Sequence, residues 1–178
     1  MARRLRSPLL MNRPNVLIAI EDFPITEHLQ KCLEPFLRKN PAPTIHLFHA
    51  LGPLPPRLLE SPGAEDPAEE QSVEARQERE QEHWLARARA NAEPLLQSAA
   101  AAIRGFHTPA PEIRTHFQLL NQRADLIDEI LKAAREHGCG SIVVGHRSHP
   151  WLRGQLHTRT GVRLKSAAPE LSVCVVDV

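Results

Sequence analysis

The stretch GHRSHPWLRGQLHTRTG, Gly145 to Gly161, gathers side chains suited to holding an anion. Arg147, Arg153 and Arg159 place three guanidinium groups in one loop, and each can pair phosphate oxygens two at a time. SIVV before it reads as a buried strand, and VRLKSAAPE after it reads as a short helix. A glycine ending a strand, followed by a loop and a helix start, is where α/β proteins hold phosphate. This loop is nonetheless poor in glycine.

Other chemistries find little support. The chain has eight glycines, and none of them builds GxGxxG, GxxxxGK[ST] or GxSxG. A dinucleotide fingerprint, a Walker-type phosphate loop and a hydrolase nucleophile elbow are therefore excluded. The turn after the first strand, EDFPIT, has no glycine and no phosphate-binding SGG, which disfavours adenylating enzymes on similar sheets. His46 and His49 stand three apart on a strand and point to opposite faces. His146, His149 and His157 share the loop, but nothing fixes their spacing as a ligand set needs, so no metal site is assigned and they read as solvated or anion-facing. Asp125, Asp128 and Glu129 read as solvated helix charges. With no Ser-His-Asp or Cys-His constellation, no catalytic residue is named and the expectation is a protein that is not an enzyme.

The elements around the loop follow from hydrophobic pattern. NVLIAI, Asn15 to Ile20, is a nearly continuous apolar run, as in a strand buried on both faces of a parallel sheet. Leu29, Cys32, Leu33, Phe36 and Leu37 then form a helical stripe, with Pro35 expected to kink or shorten the helix. TIHLFHAL, Thr44 to Leu51, is a second strand. Residues 52–83 are a Pro-rich and charged insertion, expected to be mobile. Within it DPAE starts a helix, with Asp66 as cap and Pro67 at the first helical position. That helix stays charged until Trp84, so its first half is expected to project into solvent. It then carries Leu85, Ala88, Ala92, Leu95, Ala99 and Ile103 on one face. Pro94 should bend it and Gly105 close it.

EIRTHFQLL, Glu112 to Leu120, is a third strand, and the following helix buries Ile127, Ile130, Leu131 and Ala134 before a Gly138 cap. SIVVG and SVCVVDV, Ser172 to Val178, complete the set. Strands alternating with helices predict an α/β three-layer sandwich: a five-stranded parallel sheet with helices on both faces. If the last strand is an edge, its unpaired backbone groups invite a second copy, and a homodimer through Ser172 to Val178 is expected.

Composition bounds the partners. The chain has 178 residues, suggesting one domain over residues 14–178 behind a disordered basic arm at residues 1–13, with Met11 as an alternative start to Met1. The net charge of +1 gives no global attraction to nucleic acid or to a membrane. No apolar run approaches the roughly 20 residues that span a bilayer. Cys32, Cys139 and Cys174 include no close pair, and they read as buried thiols of a reduced, cytoplasmic protein.

Taken together, NVLIAIEDF, TIHLFHAL, ADLIDEILKAAREHGCGSIVVGHRS and SAAPELSVCVVDV resemble the universal stress protein family, in its UspA-like domain, from about Asn15 to Val178. The resemblance implies a sheet of order 3-2-1-4-5 and dimerisation through the last strand. Nucleotide-binding members of that family carry Gly, two residues, Gly, nine residues, then Gly and Ser or Thr, with an Asp ending the first strand. Here Gly145 matches the first glycine, Ser148 replaces the second, and Thr158 and Arg159 stand at the last pair. A gapped register instead uses Gly154 and Gly161, which puts Val162 where the hydroxyl belongs. Glu21 stands where the Asp would, one methylene longer. Ser148 and Thr158 carry a Cβ where close phosphate approach favours glycine. Two readings follow. One is a dimeric stress-response or regulatory module with a degraded nucleotide loop and an unidentified protein partner. The other is an ATP or AMP sensor in which Glu21, Gly145, Arg147, Ser148, Thr158 and Arg159 hold the ligand through side chains.

Overall fold

The structure, a computed structural model, describes residues 15–20, 27–39, 43–60, 66–106, 109–121, 125–146 and 157–177. Five strands alternate with four helices. They are β1 (Asn15–Ala19), α1 (Glu27–Lys39), β2 (Thr44–Leu51), α2 (Pro67–Phe106), β3 (Glu112–Leu119), α3 (Leu126–Glu136), β4 (Cys139–His146), α4 (His157–Ala167) and β5 (Ser172–Asp177). A 3-10 turn, Pro56–Leu58, precedes α2. All strand pairs are parallel, in the order β3-β2-β1-β4-β5.

The order explains the sequence pattern. β1 lies in the middle, and Val16, Leu17 and Ile18 are all 0% exposed, so both of its faces must be apolar. One face packs Val16, Ile18, Ile45 and Leu47 under α1 and α2, with Leu33, Leu96 and Ile103 reaching down. The other packs Leu17, Ala19, Phe48 and Ile142 under α3 and α4, with Ile130, Leu131 and Leu164. β3 is an edge, and its exposed Glu112, Arg114 and Thr115 show it.

Helix ends and faces refine the sequence reading. α1 runs four residues past Pro35, which is exposed, so the proline does not end it. α2 spans 40 residues, about 60 Å at 1.5 Å per residue, against about 26 Å for an eight-residue strand. Much of its charged first half is therefore beyond reach of the sheet. The 3-10 turn meets this part of α2: the Leu58 carbonyl accepts from Gln77 Nε2 and Gln81 Nε2 at 2.9 and 2.6 Å. The buried face of α2 is Ala92, Leu96, Ala99, Ala100 and Ile103, so Leu96 takes the deep position expected of Leu95. Gly105 lies within the helix, and the only positive-φ glycine among the described residues is Gly138, at φ 62°, which closes α3 as expected. Asp125 is not simply a solvated helix charge. It caps α3, accepting from the Ile127 amide at 3.0 Å, and it pairs with Arg163 of α4.

The cysteine reading needs correction. Cys32 of α1 and Cys174 of β5 are joined as a disulfide, and Cys139 is buried and stands outside that bond. The two bonded residues are 142 apart, and only the packing of α1 on β5 brings them together, so spacing could not show it. A cross-link closing so long a loop limits the unfolded chain strongly, with about 2–5 kcal/mol lost when such a native bond is removed. Thiol titration in denaturant should find one reactive thiol per chain without reductant and three after reduction. Three thiols without reductant would show that the bond is absent in solution.

Candidate functional site

Two places in the fold gather functional groups, at opposite ends of the sheet. The first is the carboxyl end, where the chain leaves β1 toward β2 on one side and β4 toward β5 on the other. Ligands of open α/β sheets bind at such a reversal of strand order. Ala19 pairs with Val144, so Ile20 and Gly145 are the next residues on each side of the crevice. Gly145 is half-buried and pairs with Val176 on its other side. Thr158 and Arg159 lie in the first turn of α4, whose free backbone amides and positive dipole end favour an anion. Glu21, Arg147 and Ser148 lie outside the described residues, as do the side chains of Thr158 and Arg159.

His49 is a further polar group at this end. Its Nδ1 donates to the Ile20 carbonyl at 2.7 Å, locking the β2 side chain to the residue that precedes Glu21. Its ring meets Phe117 edge-on at 6.3 Å. Gly161, used by the gapped register, is buried in the second turn of α4, and a Cβ on it would run into Val175 Cγ2 of β5. Its smallness serves helix–sheet packing.

The second place is the amino end of the sheet. His46 and His49 do point to opposite faces, as their spacing requires. His46 is 2% exposed and shares its face with His116 of β3 and His137, which follows α3. Arg114 sits directly across from His46 and His116 across from Phe48, so the two histidines are diagonal neighbours. His46 Nδ1 and His116 Nε2 are 2.9 Å apart, with one ring donating and the other accepting. The three rings are stacked, with centroids 5.1 Å apart for His46 and His116, 4.7 Å for His46 and His137, and 4.0 Å for His116 and His137. Asn15 Nδ2 donates to the His137 carbonyl at 2.9 Å and fixes the turn beneath the cluster.

Electrostatics at this end favour the neutral form of His46 and His116. Burial, then repulsion from His137, His116 and Arg114, lowers the His46 pKa from 6.5 to about 4, although Glu112 opposes this. Burial, then His137 and Arg114, lowers His116 as well. His46 Nε2 is buried with no hydrogen-bond partner. Such a nitrogen ordinarily costs about 1–3 kcal/mol, so its position calls for a reason. Sequence reasoning missed this cluster because its members are 70 and 21 positions apart and converge only through the β2–β3 register and the α3 cap.

No protein-family model and no curated protein matches the sequence. Solved structures match it through the fold. The hypothetical protein MJ0577, solved as a test of assigning biochemical function from structure, is 16% identical over 92% of this chain and 95% of its own, with a TM-score of 0.56. The universal stress protein from Archaeoglobus fulgidus is 16% identical over 91% of this chain and 92% of its own, with a TM-score of 0.47. A structure of the universal stress protein from Archaeoglobus fulgidus in complex with dAMP is also 16% identical, over 91% of this chain and 96% of its own, with a TM-score of 0.42. The likeness is one of fold, and MJ0577 carries it.

The histidine cluster generates a pH dependence. A histidine whose folded pKa is lowered takes up its proton more readily when unfolded, so the unfolded state gains as pH falls. Stability is therefore full above the unfolded pKa of about 6.5 and declines toward the folded value of about 4. Denaturant midpoints measured from pH 7 to pH 4.5 should fall, and His46→Gln should flatten the fall. Parallel profiles for the two proteins would contradict the assignment.

Proposed function

We propose that this chain is a non-enzymatic regulatory module of the universal stress protein type, acting in the cytoplasm as a homodimer without tight nucleotide binding. The observation that carries the reading is the place of β5 at the edge of a 3-2-1-4-5 sheet. Its outer side offers unpaired backbone groups over Ser172–Asp177, and Val175 is 38% exposed there. A strand of this kind pairs with its own copy about a two-fold axis, so one patch serves both subunits.

A protein partner is supported by the groove where the 3-10 turn meets α2. It has a volume of about 600 Å³ and is lined by Arg57, Arg76, Arg79, His83, Trp84 and Arg87, with Glu80 as its one acidic group. Arginine and tryptophan are favoured at the centres of protein interfaces, and this sign of charge suits an acidic segment. No helix among the described residues is long and apolar enough to cross a membrane. The Cys32–Cys174 bond fits a cytoplasmic protein only as one made and broken with redox state, since structural thiols there stay reduced. The non-enzymatic reading rests on the sequence, where no nucleophile, base and orienting group occur together.

The sensor reading is favoured by the crevice itself: Gly145 and the first turn of α4 stand at the reversal of strand order. Arg147 and Arg159 would then replace amides that a glycine-lined loop supplies. Calorimetry with ATP, ADP and AMP separates the two. The first reading predicts no heat and no stabilisation at millimolar ligand. A hundredfold excess of a true ligand over Kd would stabilise the fold by about 2.7 kcal/mol. Micromolar binding that disappears in Arg147→Ala would put the sensor first. For the dimer, light scattering should report two chains for the unmodified protein and one for Val175→Lys, and a dimer surviving that change would contradict pairing through β5.

A further inference from the structure

We propose that His46, His116 and His137 form a binding site for a zinc-class divalent cation at the amino end of the sheet, separate from the crevice at Gly145. One candidate ligand nitrogen from each residue lies within 4.8 Å of the other two. Tetrahedral coordination with metal–nitrogen bonds of about 2.0–2.1 Å requires nitrogens about 3.4 Å apart. The present 2.9 Å contact between His46 and His116 opens by about half an ångström to meet that, and rotation of the rings brings the other pairs, now within 4.8 Å, to the same spacing.

The donor set selects the ion. Three imidazoles with neither thiolate nor carboxylate among them suit zinc and its transition-metal neighbours. Calcium and magnesium demand oxygen ligands. Metal binding requires neutral imidazole, and burial favours that form at His46 and His116. Arg114 is an unfavourable charge beside His46 and His116, and Glu112 already holds its guanidinium at 2.8 Å.

The surroundings leave one coordination position open. His116 and His137 line a cavity of about 330 Å³ that opens to solvent, together with Arg89, Thr115, Gln118 and Glu136. His46 lies behind them with 2% exposure, so an ion enters past the two half-buried rings. Water or a small anion takes the fourth position, and the Glu136 carboxylate lining the same cavity offsets part of the added charge. Two ligands come from adjacent strands and the third from the turn that closes α3, so the ion ties α3 to the β2–β3 edge of the sheet.

The test titrates chelator-stripped full-length protein with zinc against a chromophoric chelator. One ion per chain at submicromolar Kd is expected, with a higher thermal midpoint. His116→Ala and His137→Ala should each weaken binding by about a hundredfold or more, at or beyond the upper end for loss of an outer-shell partner. The combined change of His146, His149 and His157 to alanine should leave it unaltered. Cobalt reads the same site in the unmodified protein, where intense visible bands of a tetrahedral ion are expected. Absence of a tight equivalent, a weak octahedral cobalt spectrum, or binding lost only in the His146, His149 and His157 variant would each overturn the assignment.

Discussion

Everything in this fold depends on burying β1 on both faces. A strand whose Val16, Leu17 and Ile18 are all inaccessible to water needs a covered layer above and below it and a paired strand on each side. Each of these side chains contributes roughly 1.5–3 kcal/mol by leaving water, so exposing either face would be costly against a net stability of about 5–15 kcal/mol. The solution is a central strand flanked by β2 and β4, and that choice forces the chain to run outward in two directions. The crevice at Gly145 is a geometric consequence of the same burial.

The sheet has two chemically different ends. At its carboxyl end, the backbone amides and dipole of the α4 N-terminus favour anions. At its amino end, three imidazoles meet beneath the α3 cap, and burial favours the neutral form of His46 and His116. The β2 strand connects them, since His46 belongs to the amino-end cluster and His49 binds the Ile20 carbonyl near the crevice. Its alternating faces send the two histidines to different layers. The disulfide between α1 and β5 meanwhile joins the layer over β1 to the edge proposed for dimerisation.

Local pattern made most of the fold legible. Apolar runs marked β1 and β4, the 3.6-residue stripe marked α3, and the Gly138 cap followed from a helix that had to end there. Local pattern failed where distant segments meet. The choice between Leu95 and Leu96 depends on the rotation of a bent or straight helix over the sheet, which composition does not encode. Cys32 with Cys174, and His46 with His116 and His137, are pairings made by topology alone. The crevice was legible at Gly145, because strand, glycine, loop and helix are contiguous there. Gly161 was ambiguous for a physical reason: close phosphate approach and close helix packing both favour glycine, and here it faces Val175.

A native mass spectrum of the purified protein weighs the intact assembly with whatever it carries. The proposed paired module without nucleotide would give the mass of two chains and no added mass of a nucleotide. A single chain, or any assembly carrying one nucleotide per chain, would contradict it.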